Sequence, residues 1–133
     1  MNEDALIERA KAYVAAVESG ATGAALAEHF HPDVVLTELP NRLVPGGATR
    51  DLAAILEAAE RGQRAVTEQR YRIRNVIARG NQVLLEISWS ARLLVQLGET
   101  PVGSTLRAEI AAILVFEGGR IREGRNYDCY PPF

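Results

Sequence analysis

The chain has 133 residues, of which 47% are hydrophobic and 24% are charged, and its formal net charge is −2. These values fit one globular domain, residues 1–133, with a single core, and they exclude a disordered chain. No segment combines basic with aromatic side chains as nucleic-acid grooves do, so we expect no nucleic-acid partner. No apolar run approaches the roughly 20 residues that cross a bilayer, and Met1–Asp4 is acidic where a secretory signal is basic. We therefore expect a cytoplasmic protein with no membrane partner.

The beginning of the chain has the pattern of two helices. Apolar residues recur at three- and four-residue steps over Asn2–Ser19, which predicts an amphipathic helix that ends at Gly20. A second, shorter helix is predicted over Thr22–Phe30, where Thr22 can cap it and Pro32 stops it.

The next segment predicts a strand, a loop and a third helix. Val34–Leu39 is short and rich in β-branched residues, which favours a strand. Pro40–Gly47 is rich in Pro and Gly, as is typical of a loop. A third helix is predicted from near Thr49 to Gly62 because apolar residues again recur at helical spacing.

The second half of the chain has the pattern of long strands. Gly80-Asn81 and Gly118-Gly119 predict two tight hairpin turns because they adopt positive φ at little cost, and a longer link lies at 98–104. The predicted strands are Thr67–Ala78, Val83–Val95, Leu106–Phe116 and Ile121–Tyr130.

This order of elements predicts an α+β fold in which a cone-shaped, curved antiparallel sheet wraps three N-terminal helices and forms an open barrel. Some strands carry apolar residues on both faces, as the neighbours Leu84 and Leu85 show. An outer face of this kind needs a covering partner. We therefore expect a homodimer that forms through the sheet.

Four segments resemble the nuclear transport factor two-like superfamily, and the resemblance extends over essentially the whole chain. It implies the cone-shaped fold and a frequent homodimer. Members include ketosteroid isomerases, SnoaL-like polyketide cyclases, limonene-epoxide hydrolases and non-catalytic binding proteins, so the fold alone does not determine a function. The segments are Tyr13–Val17, Phe30–Val35, Phe116–Ile121 and Arg125–Tyr127.

The resemblance to ketosteroid isomerases implies three catalytic positions. In that family a Tyr on the first helix and a protonated acid on a late strand form an oxyanion hole, and a carboxylate after the second helix moves the proton. By resemblance these positions are Tyr13, Glu109 and Glu38. Both carboxyl positions hold Glu where the family has Asp, and the added methylene moves each carboxyl group by about an ångström.

The resemblance to SnoaL-like cyclases points to the last strand instead. Those enzymes carry an Asp three residues after a Glu like Glu123, and this chain has Asn126 there. An amide exchanges hydrogen bonds but cannot act as a general acid, whereas Asp128 shares the same face and could substitute. The epoxide hydrolases need an Arg and an Asp where this chain has Ile87 and Trp89, so the resemblance excludes that chemistry.

Each candidate catalytic residue also has a structural interpretation. Glu38 is either a pocket base with a pKa raised by apolar neighbours or a solvated carboxylate at a strand end. Glu109 is either a neutral donor or the ion-pair partner of Arg107, and the second alternative would prevent it from donating to an oxyanion. Tyr13 lies on the apolar stripe of its helix, where a core tyrosine is common.

Further residues are candidates for the walls of a binding pocket. Trp89, Tyr71 and Phe30 are either core residues or substrate-binding residues, and a hollow cone allows both roles. Asn126 and Asp128 share one face of an interior strand and need a polar partner, which can be a ligand or water. Cys129 is the single cysteine and has no companions at metal-ligand spacing.

Together these observations predict a protein that binds a small hydrophobic, cyclic molecule in a pocket without metal or any other cofactor. The leading hypothesis is an isomerase of the ketosteroid isomerase kind, which moves a proton next to a carbonyl group. One alternative is a non-catalytic ligand-binding or dimerisation protein. The other is a cyclase or dehydratase that uses Asp128.

Overall fold

The computed structural model describes residues 1–132, and within them it contains three α-helices and six strands. The helices precede most of the sheet in the chain, as predicted. The helices are α1 (Glu3–Glu18), α2 (Gly23–Ala27) and α3 (Leu52–Ala65). The strands are β1 (Phe30–Glu38), β2 (Ala48–Arg50), β3 (Val66–Arg79), β4 (Gln82–Leu93), β5 (Thr105–Glu117) and β6 (Arg120–Cys129).

The first helix begins and packs as its sequence pattern predicts. The side chain of Asn2 accepts a hydrogen bond of 2.8 Å from the backbone of Ala5, so it caps the free N–H groups of the first turn. Leu6, Ala10 and Val14 form the buried stripe that packs on the sheet. Within residues 1–132, no helix is both long and apolar enough to cross a bilayer.

The six strands form one curved, open sheet in the order β2-β1-β6-β5-β4-β3. The antiparallel meander of β3 to β6 is confirmed, and each of its strand ends lies within two residues of the prediction. The sheet is mixed, however, because β1 pairs with β6 in parallel. We call the side that packs against the helices the inner face and the opposite side the outer face.

The prediction that Pro32 stops the second helix is wrong. This helix ends at Ala27, and Pro32 lies inside β1. The ladder between β1 and β6 is irregular there, since Phe30 pairs with Ile121 while Val35 already pairs with Glu123. Proline, which has no N–H to donate, is tolerated at such an irregularity.

The boundaries of the third helix also differ from the prediction. Thr49 belongs to the short strand β2, which pairs with β1, and the helix begins after Asp51, whose side chain accepts from Ala54 N at 2.9 Å. Gly62 does not end the helix, which continues to Ala65. The missing side chain at Gly62 instead leaves open space beside the helix.

The edge strand β3 is long and irregular. Its pairing with β4 shifts register between Thr67 and Arg70 and again between Ile73 and Asn75. Glu68, in the first irregular segment, has a φ of 53°, the single non-glycine residue in the described chain with positive φ. The irregularity turns Gln69 towards the interior of the fold, where it lines a cavity.

We predict that Gly124→Ala destabilises the fold. Gly124 is buried on β6, and an added Cβ would overlap the side chain of Leu36 on the neighbouring strand β1. We expect the free energy of unfolding in urea to fall by about 1–3 kcal/mol, as for other overpacked cores. Gly46→Ala is the control because its Cβ would meet no atom within 4 Å. Equal stability of the two variants would contradict this account of the β1–β6 contact.

Candidate functional site

Helix α1 and the inner face of the sheet enclose a cavity of about 120 Å³, which we call the inner cavity. Its apolar wall is formed by Val14, Val17, Leu85, Ile87, Ile110 and Ala112. Its polar residues are Tyr13, Tyr71, Asn126 and Asp128, and each of them is a predicted site residue. The structure therefore brings together residues from the first helix, the edge strand and the last strand.

Strand β6 places Asn126 and Asp128 side by side in the inner cavity. They are two residues apart, so their side chains lie on the same face of the strand. Asn126 is opposite Ala112 and Asp128 is opposite Ile110, and both of these partners line the inner cavity. The predicted shared face of Asn126 and Asp128 is therefore the inner face.

Three polar groups in the inner cavity have no partner in the described protein. Oδ1 of Asp128 is buried and accepts no hydrogen bond. Within residues 1–132, the side-chain amide of Asn126 and the hydroxyl group of Tyr13 also make no hydrogen bond. Buried polar groups are nearly always paired with protein, ligand or water, so the buried oxygen of Asp128, with two further unpaired groups in the same cavity, indicates a place for a polar ligand or water.

Tyr71, in contrast, already uses its hydroxyl proton. It donates to Oε1 of Gln69 at 3.2 Å, and Nε1 of Trp89 donates to the same oxygen at 3.1 Å. Gln69 thus locks both rings in place. Tyr71 can accept a hydrogen bond from a ligand, while Tyr13 keeps its proton free to donate.

Glu38 lies next to this group but is held by other residues. It pairs with Asn126 across the β1–β6 ladder, and its side chain is 18% exposed. Oε1 accepts from Nη1 of Arg50 at 2.9 Å, and Oε2 accepts from Nδ2 of Asn41 at 2.9 Å. Both oxygens of Glu38 are therefore engaged by donors, as suits an ionised carboxylate.

The loop that supplies Asn41 is ordered around that residue. Oδ1 of Asn41 accepts hydrogen bonds from the backbone of Leu43 and Val44, at 3.0 and 3.1 Å. The same side chain donates to the backbone oxygen of Leu39 at 2.9 Å. Asn41 therefore fixes the start of the loop and presents its amide to Glu38 in one orientation.

Burial and a neighbouring charge change the acidity of the cavity groups. Burial, followed by the negative charge of Glu38, raises the pKa of Asp128 to about 6. Burial raises the pKa of Tyr13 to about 12, so this hydroxyl keeps its proton at neutral pH. Burial, and then the charges nearby, also raise the pKa of Tyr71 above its ordinary value. Asp128 is thus a carboxyl group that exchanges its proton near neutral pH.

The prediction that Glu109 contributes to an oxyanion hole is wrong. Its side chain is 64% exposed and lies on the outer face, away from Tyr13. Its carboxylate accepts from the hydroxyl group of Ser88 at 2.8 Å and lies 4.0 Å from Arg74. The predicted ion pair with Arg107 does not form either.

Phe30 and Trp89 lie beside the inner cavity rather than in its wall. Phe30 is fully buried and meets Tyr13 edge-on, with 5.3 Å between the ring centroids. Trp89 meets Tyr130 edge-on at 6.4 Å and borders a groove whose lining also includes the outer-face residues Ser88 and Glu109. Both rings therefore support the cavity residues.

Sequence reasoning missed Gln69, Arg50 and Asn41. Gln69 reaches the interior only because β3 is irregular at this point, and no pattern in the sequence indicates that. Arg50 and Asn41 meet Glu38 because a loop closes between β1 and β2. A β1–β2 hairpin prediction would have placed Arg50 near Glu38. In the described part of the chain, no three His, Cys, Asp or Glu residues converge as a metal-ligand set.

Solved structures with the same fold come from several bacteria. AclR, a proposed hydroxylase from Streptomyces galilaeus, is 19% identical with a TM-score of 0.79, and the match covers 96% of this chain and 90% of AclR. IdmH, a proposed polyketide cyclase from Streptomyces antibioticus, is 18% identical with a TM-score of 0.78, over 92% and 91% of the two chains. An NTF2-like protein from Burkholderia xenovorans is 17% identical with a TM-score of 0.75, over 96% and 92%. At these low sequence identities, the structural similarity establishes the fold of the chain alone.

The sequence comparisons are more specific about the family. No curated protein matches the chain. The family model of the SnoaL-like domain matches residues 10–124, which run from the second half of α1 to the middle of β6. The chain therefore belongs to the SnoaL-like domain family.

Proposed function

We propose that this protein binds a small carbonyl compound in the inner cavity and moves a proton at the carbon next to the carbonyl group. The observation that carries the proposal is the set of three unpartnered polar groups on Tyr13, Asn126 and Asp128 around one apolar cavity. A base, a neutral donor and an amide donor are the groups that form and stabilise an enolate.

Asp128 is the proposed base. Its carboxyl group has a pKa of about 6, so it is mostly ionised at neutral pH and can still hold a proton that it has taken. Its buried oxygen has no competing donor in the described protein. A ligand in the inner cavity would therefore meet a carboxylate that is not tied to other residues.

Tyr13 and Asn126 are the proposed donors to the carbonyl oxygen. When Asp128 removes the neighbouring proton, the electron pair of the C–H bond moves into the new C=C bond and negative charge develops on the oxygen. Hydrogen bonds from the Tyr13 hydroxyl and the Asn126 amide would stabilise that charge. The protonated Asp128 then returns its proton to the same or another carbon.

Glu38 has a different role in this proposal from the one the resemblance implied. A base must be free to approach its substrate, whereas both oxygens of Glu38 already bind Arg50 and Asn41. Glu38 instead contributes its charge, which helps to raise the pKa of Asp128. The proton-transfer role thus moves from β1 to β6, as in the cyclase alternative of the sequence analysis.

The enolate can react in two ways, and the structure of the substrate determines which reaction occurs. If the proton returns at another carbon, the reaction is an isomerisation. If the enolate carbon attacks a second carbonyl of the same molecule, the new C–C bond closes a ring, and the oxygen of that carbonyl receives the electron pair of its π bond and takes the proton from Asp128. Ring closure is the kind of reaction that the description of IdmH as a proposed polyketide cyclase names. A cavity of about 120 Å³ is smaller than the roughly 300 Å³ of common ligand pockets, so the reacting group must be compact.

We also propose that the outer face pairs with a second copy of the chain. Ile77 on β3, Leu84 on β4 and Ile113 on β5 are cross-strand neighbours and form an apolar row on this face. Ile77 is 56% exposed, and Tyr127 on β6 is 42% exposed. A two-fold axis through the face would bury the apolar row of each copy against the other.

Titration of Asp128 should give a pKa of about 6 when its carboxyl carbon is followed by NMR. This pKa lies above that of an aspartate in the unfolded chain, so protonated Asp128 stabilises the native state at pH values below the unfolded pKa. That stabilisation is lost as the pH rises through about 6. Asp128→Asn should therefore raise the free energy of unfolding by about 1–2 kcal/mol near pH 8, allowing for solvent screening, and by little near pH 4. Glu38→Gln should lower the pKa of Asp128, and no change would contradict the coupling.

Asp128→Asn should slow proton exchange strongly. We expect the wild-type protein to exchange α-protons of small ketones for deuterium in heavy water, measured by NMR. The loss of the base should slow this reaction by about 10²–10⁴-fold, and Tyr13→Phe should slow it by about 10²-fold because one donor to the oxyanion is lost.

The matched control for this experiment is Glu109→Gln, which changes a carboxylate on the outer face and should leave the exchange rate unaltered. Exchange that survives Asp128→Asn would rule out this base. If ligands bind but no exchange occurs, the protein is a binding protein and not an enzyme.

Ile113→Arg should convert a dimer into a monomer. It places a charge in the middle of the apolar row, where it would be buried in the proposed dimer. Sedimentation velocity at micromolar concentration should show the change, whereas Val102→Arg, in the exposed link between β4 and β5, should leave the dimer intact. A monomeric wild-type protein would disprove the dimer.

A further inference from the structure

A second cavity lies beside the first, between α1, α3 and the start of β3. Its volume is about 230 Å³, and we call it the helix cavity. The room comes from small residues on α3, since Ala58, Ala59 and Gly62 all line it. A Cβ at Gly62 would have no neighbour within 4 Å, so this part of the helix faces open space.

The two cavities meet at the same side chains. Tyr13, Val17 and Tyr71 line both of them. The two cavities are therefore neighbours, and a molecule that extends past these shared residues would occupy both at once. Together the cavities have the size of common small-molecule pockets, which the inner cavity alone does not reach.

The walls of the two cavities differ in chemistry. The inner cavity holds the unpartnered groups of Tyr13, Asn126 and Asp128. The helix cavity has no charged side chain in its wall, and most of that wall is carbon, including Leu26, Phe30, Ile55 and Val66. Of the two amides in this wall, Gln69 is already bonded to Tyr71 and Trp89, and Gln63 is exposed. A charged group would lose hydration there and would find no charged partner.

We propose that the substrate is an amphiphile with an apolar tail that occupies the helix cavity, while its compact carbonyl head lies in the inner cavity. The substrate class is thus a ketone or acyl compound with a flexible, uncharged hydrocarbon substituent. The head assignment, which places the carbonyl group in the inner cavity, rests on the proposed function. The tail assignment, which places the apolar substituent in the helix cavity, rests on the volume, wall chemistry and position of that cavity alone.

Binding of a series of phenols tests the proposal. The phenol group imitates the enol head, and para-cresol, para-butylphenol and para-hexylphenol differ only in the tail. Each buried methylene group should tighten binding about fourfold, so Kd measured by calorimetry should fall steadily along the series.

Gly62→Leu should remove this dependence on tail length. Its side chain would enter the open space beside α3, and leucine favours a helix more than glycine does. We expect para-hexylphenol to bind at least about tenfold more weakly than to the wild type, while para-cresol binds equally well. Ala53→Leu, which places the same side chain on the exposed side of α3, is the matched control and should change neither affinity. Circular dichroism verifies that both variants are folded.

The outcomes separate the two proposals. If Kd does not depend on tail length, if para-hexylphenol does not bind, or if Ala53→Leu acts like Gly62→Leu, the tail assignment is wrong. Tyr13→Phe should weaken every phenol by about tenfold because the head loses one hydrogen bond. If Tyr13→Phe has no effect while the length dependence persists, the tail assignment stands and the proposed head chemistry fails.

Discussion

The parallel hydrogen-bonded pairing of β1 with β6 is the contact on which the site depends. It attaches the strand that follows the first two helices to the last strand of the meander, and it places Glu38 opposite Asn126. Arg50 and Asn41 both donate hydrogen bonds to Glu38, so the β1–β6 pairing also determines where these two side chains lie. Gly124 leaves room for Leu36 of β1, whose side chain occupies the space that a side chain at position 124 would need. Without this pairing, Asp128 would lie on an exposed edge of a four-stranded sheet and would behave as an ordinary carboxylate.

Glu38 and Asp128 are carboxyl groups on adjacent strands, and they have different roles because their surroundings differ. Glu38 has a guanidinium and an amide within hydrogen-bonding distance, and these partners compensate its charge. Asp128 has an apolar cavity on one side and the charge of Glu38 on the other, so ionisation costs it more. The side chain of Glu38 is thereby held in one position, and Asp128 is able to gain and lose a proton near neutral pH.

Local patterns predicted the parts of this protein that are governed by local physics. The meander followed from alternating strands and glycine turns, and Tyr13, Asn126 and Asp128 could be placed on interior faces by periodicity and resemblance. The face on which Glu109 lies could not be predicted in this way. Ala111 and Ile113 on the same face are apolar, so both faces of β5 had the pattern of a buried face. The β1–β6 pairing, the β1–β2 hairpin and the inward turn of Gln69 depend on contacts between distant residues and on an irregular edge. The residue pattern of a single segment does not indicate which distant segments it will contact.

The irregular edge strand also affects how the chain can associate. An exposed edge strand of a sheet is a template on which another strand can add, and β3, with 14 residues, would be a long template if it were regular. Two register shifts and the left-handed Glu68 break its row of free N–H and C=O groups into short pieces. The opposite edge is β2, which has 3 residues. Neither edge offers a continuous template for fibril-like growth, so the chain can expose an apolar sheet face to a partner without also inviting open-ended aggregation.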